Sequence, residues 1–229
     1  MVLDSNLKLQ MKNSYILHIE TATKVCSVAL SNNGELLACK ETNSDGFIHS
    51  ESLTRYIHEV LQTVQLNASD IHAISFSSGP GSYTGLRIGL STAKGLCFAL
   101  NIPLISVETL DALVALIEPS DKNIIPLLDA RRMEVYTQVY SANGQILQEL
   151  DSVVLDETSF TAFEPFVTFG DGAEKCKEMW AHRPIDWLDI HPSAKGQVSI
   201  AFQKFQTEKF EDLAYFTPIY LKDANGVRR

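Results

Sequence analysis

Two rhythms of apolar and polar positions run through the first half of the chain. Tyr15–Thr21 (YILHIET) is an apolar-rich run that closes on polar residues. Val25–Leu30 and Leu36–Lys40 follow it, separated from each other by Asn32-Asn33-Gly34. Short runs bounded by turn formers predict three strands in an antiparallel meander. The period then changes. Leu53, Tyr56, Ile57, Val60, Leu61 and Val64 fall at i, i+3, i+4, i+7, i+8 and i+11, the apolar stripe of an amphipathic helix. Ala73–Ser77 reads as a strand, Gly79–Gly85 as a loop and Leu86–Leu100 as a helix. Leu104–Val107 reads as a buried strand and Thr109–Ile117 as a further helix.

The first half is therefore βββαβαβα. A three-stranded meander followed by alternating helices and parallel strands is the unit of the actin, Hsp70 and sugar-kinase (ASKHA) fold, an α/β architecture that normally holds two such lobes. The second half repeats the pattern in weaker form. Ile124–Leu128, Glu134–Tyr140 and Ile146–Val154 form a second candidate meander, with Asn143-Gly144 as its hairpin turn. Val167–Phe169 is a later strand and Ser193–Phe205 a helix. The second lobe is expected to be degenerate. Pro119, Ser120 and Asp121 break the pattern near Glu118–Lys122. The expected division is an N-terminal extension over 1–11, a first lobe over 12–118 and a second over 119–229.

The chain has 229 residues, of which 45% are hydrophobic and 21% charged, the composition of a soluble globular protein. Lys and Arg number 19 against 28 Asp and Glu, a formal net charge of −9. Direct nucleic-acid binding is driven by phosphate neutralisation, so a chain this acidic is expected to meet nucleic acid only through a partner. Cys26, Cys39, Cys97 and Cys176 form no CxxC pair, and none suggests a zinc cage or redox motif. No apolar stretch reaches membrane-spanning length, and the first twelve residues lack a secretory h-region. A cytoplasmic location without membrane contact is expected.

Ser78–Leu96 reads SGPGSYTGLRIGLSTAKGL. Gly79, Gly81 and Gly85 permit positive φ and close backbone approach, and Ser82 or Thr84 can cap the helix that follows. Such a loop can cradle phosphate at a helix N-terminus, or it can be a tight turn with packing glycines. Arg87 and Lys94 can add charge to a phosphate, reach a partner's carboxylate, or stand solvated on the helix. Glu20-Thr21 ends the first strand. Glu20 can organise a metal's water shell there, or simply tie down the next loop. Gly170-Asp171-Gly172 is either a second nucleotide-facing turn or a plain Gly-Asp-Gly turn.

The string GPGSYTGLRIG resembles the TsaB (also called YeaZ) family of the threonylcarbamoyladenosine pathway of tRNA. Glu20-Thr21-Ala22-Thr23, Leu128-Asp129-Ala130-Arg131-Arg132-Met133-Glu134-Val135-Tyr136, Gly170-Asp171-Gly172-Ala173 and Pro218-Ile219-Tyr220-Leu221 match in the same order, from about Lys12 onward. The resemblance implies a non-catalytic partner of TsaD, in threonylcarbamoyl transfer to adenosine 37 of tRNAs reading codons that start with A. It implies TsaE as a further partner through the complex, and a homodimer in isolation. It implies no required cofactor, with weak ATP or ADP binding around Glu20, Thr21, Gly79, Gly81, Ser82, Gly85, Gly170 and Gly172. The first long helix, through Leu53, Tyr56, Ile57 and Val60, together with Arg87, would face TsaD or a second copy.

TsaD binds its metal through H-x-x-x-H on the helix after the fifth strand, where i and i+4 share one helix face. The matching positions here are Thr109 and Leu113. His49 and His58 lie nine apart and do not replace that pair. The same gap, with no HExxH and no G-x-S-x-G, speaks against the metallopeptidase and serine-hydrolase alternatives. An ATP-binding kinase or ATPase of the same superfold is the remaining alternative, although the chain shows no candidate catalytic base for one.

Overall fold

The computed structural model describes residues 13–43 and 49–222. Two mixed five-stranded sheets carry the fold. The first is built from β1 (Tyr15–Glu20), β2 (Val25–Asn32), β3 (Glu35–Asn43), β4 (Ala73–Ser77) and β5 (Leu104–Val107), in the order β3-β2-β1-β4-β5. The meander is antiparallel; β4 and β5 join it in parallel. The second holds β6 (Asn123–Asp129), β7 (Glu134–Tyr140), β8 (Ile146–Val154), β9 (Phe166–Phe169) and β10 (Ile185–Trp187), in the order β10-β9-β6-β7-β8. Each sheet, counted from its own first strand, runs 3-2-1-4-5. This repeat is the two-lobe actin-like fold.

The lobes differ in their connections. Helix α1 (His49–Thr63) links β3 to β4, and α2 (Tyr83–Leu100) links β4 to β5. In the second lobe the same two positions hold only 3-10 turns, at Thr161–Phe163 and Ala173–Cys176. Aromatic packing fills the space. Trp180 is fully buried, and its ring lies 6.0 Å from Phe160, 6.3 Å from Phe166 and 6.4 Å from Trp187. Its indole N–H is satisfied by the Asp156 carbonyl at 2.8 Å, as a buried Trp requires.

Each lobe also lends its last helix to the other. In α3 (Thr109–Val114), Leu110 and Leu113 pack with Leu128, Val167 and Phe169 of the second sheet. In α4 (Val198–Gln206), Ala201 packs with Ile16, Ala73 and Ile105 of the first sheet. Residues 193–220 thus sit on the first lobe. The division that assigned all of 119–229 to the second lobe differs from this, because a chain boundary does not mark where a helix finds its apolar partner. The predicted helix over Ser193–Phe205 is in fact a 3-10 turn (Ala194–Gln197) followed by α4. Gly196 accounts for the turn's close approach, since a Cβ there would lie 1.9 Å from the Ala112 carbonyl oxygen. The expected N-terminal extension over 1–11 lies outside the described residues.

Candidate interlobe site

The C-terminal ends of β1, β6 and β9 meet between the lobes. Two adjoining rooms open there, of about 490 Å³ and about 250 Å³, and both are lined by Thr23, Lys24 and Asp171. The smaller also takes Gly81–Tyr83, Asp129–Arg131 and Ile219–Lys222. The larger is walled on the other side by Trp187–His191.

The predicted site residues stand around these rooms, but their bonds are mostly internal. Glu20 is fully buried. Its carboxylate accepts from the Ala22 N–H at 2.7 Å and from the Ser77 hydroxyl. These are the bonds of a strand-end carboxylate that ties down the next loop. Burial pushes its pKa up to about 7 against the opposing pull of those two donors. Thr21 is buried as well and donates through Oγ1 to the Gly85 carbonyl at 2.8 Å.

Helix α2 starts at Tyr83, three residues before the expected Leu86. Ser82 is its cap and accepts from the Gly85 N–H at 3.3 Å, so the capping role read from sequence holds for Ser82. The glycines of the loop admit neighbouring backbone. A Cβ on Gly81 would lie 2.4 Å from the Ala22 carbonyl oxygen, and one on Gly85 2.0 Å from that of Thr21. Gly79 has φ +109°, and its Cβ would lie 2.5 Å from the Ile219 carbonyl oxygen. The second turn works alike. Gly170 has φ +102° and abuts the Leu127 carbonyl, while the Gly172 N–H donates to that same oxygen at 2.9 Å. Between them Asp171 accepts from the Asp129 N–H at 3.0 Å, and burial raises its pKa.

The family model described as "TsaD: tRNA N6-adenosine threonylcarbamoyltransferase" matches residues 47–225. The tRNA threonylcarbamoyladenosine biosynthesis protein TsaB of Escherichia coli K12 is 29% identical over 220 residues, 91% of this chain and 94% of its own length. TsaB of Bacillus subtilis 168 is 34% identical over 183 residues, 80% of this chain and 74% of that one. The chain belongs to the TsaB (YeaZ) family. YeaZ from Pseudomonas aeruginosa, a solved structure, superposes with a TM-score of 0.75 at 26% identity, over 91% of this chain and 100% of that one. EutJ from Carboxydothermus hydrogenoformans, at 12% identity and a TM-score of 0.51, shares the fold alone.

One detail sets this TsaB-family chain against the expectations. Leu53, Tyr56, Ile57 and Val60 of α1 all belong to one buried cluster with Leu17, Ile19, Val28 and Phe76, so they are core residues of the first sheet. The stripe is broad because α1 packs on the sheet and also meets α2. A charge placed at Leu53, which is 1% exposed, would therefore report on folding and not on association. Arg87 stands exposed on α2, its guanidinium 4.1 Å from the centre of the Tyr83 ring. Thr109 and Leu113 are both wholly buried, and Leu113 lies within the second sheet's core. Among the described residues no three His, Cys, Asp or Glu side chains converge as metal ligands, and no helix is long and apolar enough to cross a membrane.

Sequence reading missed a buried polar chain. The His18 imidazole lies 2.6 Å from the Ser75 hydroxyl and 2.8 Å from that of Ser31. Ser75 donates to Gln197 Oε1 at 2.7 Å, and Gln197 Nε2 donates to Ser77 at 3.1 Å, which in turn donates to Glu20. The sequence signal for it is slight: His18, Ser75 and Ser77 are polar positions inside predicted strands, while Gln197 falls in the predicted helix Ser193–Phe205.

Proposed function

We propose that the chain is a non-catalytic partner of TsaD in threonylcarbamoyl transfer to adenosine 37 of tRNAs that read codons starting with A. Relatives across most of its length carry the pathway in their names, as TsaB proteins of tRNA threonylcarbamoyladenosine biosynthesis. The observation that carries the non-catalytic reading is the burial of Thr109 and Leu113 at the positions that match the metal-binding histidines of TsaD. The net charge of −9 supports a role in which tRNA is met through the complex, with TsaE recruited there too. In isolation the chain pairs with itself through the surface that otherwise meets TsaD. The complex works in the cytoplasm, away from membranes.

With the stripe of α1 committed to the core, the outer face of α2 around Arg87 is the better surface for that contact. Helices pair where opposing ridges and grooves fit. Sedimentation equilibrium of the chain mixed with TsaD is expected to show a heterodimer formed at the expense of the homodimer. Arg87→Glu, an exposed substitution, is expected to leave the fold intact and weaken both associations about tenfold or more. Two species that sediment independently would contradict the reading.

A second reading is kept because of the rooms themselves. An interlobe cleft with Lys24 at the junction of both rooms is suited to a weakly bound ATP or ADP. Titration of nucleotide into the lone chain separates that reading from a purely structural cleft.

A further inference from the structure

The segment that follows α4 runs from the outer edge of the first sheet, over its helices, to the second lobe. The Glu211 N–H donates to the Leu104 carbonyl at 2.9 Å, beside β5. Lys94 of α2 donates to the carbonyls of Ala214 at 3.3 Å and Phe216 at 3.0 Å. The Phe216 ring packs edge-on against Phe76, with centroids 5.5 Å apart. The Ile219 N–H donates to the Ser78 carbonyl at 2.8 Å. This first-lobe seat is close-packed: it needs Gly79, because a side chain there would overlap the Ile219 carbonyl. The Tyr220 ring then meets that of Tyr83 at 4.9 Å.

Beyond Tyr220 the segment changes lobes. Leu221 packs with the cluster that contains Leu128, Tyr136 and Val167. Lys222 forms an ion pair with Glu134, its ammonium also donating to the Ala130 carbonyl at 3.4 Å and lying 5.6 Å from the centre of the Tyr136 ring. The Lys222 side chain is only 9% exposed. Residues 219–222 also form a wall of the smaller room, between the Gly81–Tyr83 loop of one lobe and the Asp129–Arg131 turn of the other.

We propose that residues 213–222 are an interlobe latch, fixed to the first lobe and held on the second by Leu221 and Lys222, whose release opens the smaller room. The asymmetry of the two ends gives the direction. The first-lobe end is seated backbone against backbone over Gly79, and the described hold on the second lobe is made by Leu221 and Lys222: an apolar contact, an ion pair to Glu134, a bond to the Ala130 carbonyl and a cation over the Tyr136 ring. Such an end opens below the threshold of global unfolding. The inference is independent of the proposed partnership, because it concerns the two lobes of one chain.

Hydrogen–deuterium exchange of the full chain, read by mass spectrometry, tests the latch. Peptides over 78–84 and 129–134 report the two walls of the room, and peptides over β1 and β2 report the core. Lys222→Glu reverses one charge of the pair, and Lys222→Met removes it while keeping the stem over Tyr136. Exchange in both walls is expected to rise about tenfold in Lys222→Glu and by less in Lys222→Met, with β1 and β2 unchanged. Walls that exchange as in the parent in both variants would overturn the latch. So would loss of protection in β1 and β2 to the same degree, which would make the segment a structural staple.

Discussion

Gly85→Ala is expected to destabilise the protein by about 3 kcal/mol or more, although alanine is ordinarily the better helix former by about 1 kcal/mol. Gly85 lies in the first turn of α2, buried against the loop that follows β1. A Cβ at that position would stand 2.0 Å from the Thr21 carbonyl oxygen and 3.3 Å from Ser82 Cβ. Neither neighbour can give way cheaply. The carbonyl is backbone, and Thr21 is held to Gly85 by its own hydroxyl bond. Relief would require α2 to move off the first sheet, with the loss of its buried Leu86, Leu90 and Ala93 contacts. Gly95→Ala on the same helix supplies the control. Outside its own turn of helix backbone, no atom lies within 4 Å of a Cβ built there, so alanine should stabilise by about the ordinary helix increment. Urea unfolding of the two variants reads the signs directly. The parent is expected to fall between the two variants, further from Gly85→Ala; a Gly85→Ala protein as stable as the parent would show that the loop does not pack as described.

Glu20→Gln is expected to change how stability varies with pH. Burial raises the Glu20 pKa from 4.5 to about 7, so the folded protein holds a proton that the unfolded chain releases. That contribution is fully present below the unfolded pKa and is lost as pH rises towards 7, by about 3 kcal/mol across the interval. His18 works in the opposite direction. Burial lowers its pKa from 6.5 to about 3, so its stabilising neutral form is kept above 6.5 and opposed progressively as pH falls. Between pH 4.5 and 6.5 the two slopes offset each other in the parent protein. Gln at position 20 removes one of them. The stability of Glu20→Gln relative to the parent should then rise by about 3 kcal/mol from pH 4.5 to 7. Denaturant unfolding at several pH values tests this, and parallel profiles for the two proteins would refute the shared buried chain as its cause.

The readable parts of the fold were those where a period persists. The meander β1–β3 and the strand β7 alternate or run apolar long enough to be recognised, and the turn at Asn143-Gly144 carries its own chemistry. β10 spans three residues, Ile185–Trp187, too few for any period. The second lobe's missing helices left no pattern to find, because coil and the Trp180 cluster cover that sheet. One misreading has a physical cause. The stripe of α1 is as wide as an interface would need, but contact with both a sheet and α2 demands the same width. The glycine string has the composition of a phosphate loop, and glycine is selected equally where one backbone crosses another, as Gly81 does with Ala22, so composition alone does not choose between the two. The C-terminal segment escaped any assigned role because an extended strap has neither helical nor strand period.

This chain is proposed to enable TsaD without performing the chemistry. Transfer of labelled threonine into tRNA by TsaD and TsaE, supplied with ATP and threonylcarbamoyl precursor, measures it most directly. With this chain present, transfer is expected; without it, the rate is expected to fall to background, and the chain alone is expected to transfer nothing. Modification of tRNA by the chain alone, or an undiminished rate when it is left out, would contradict the account.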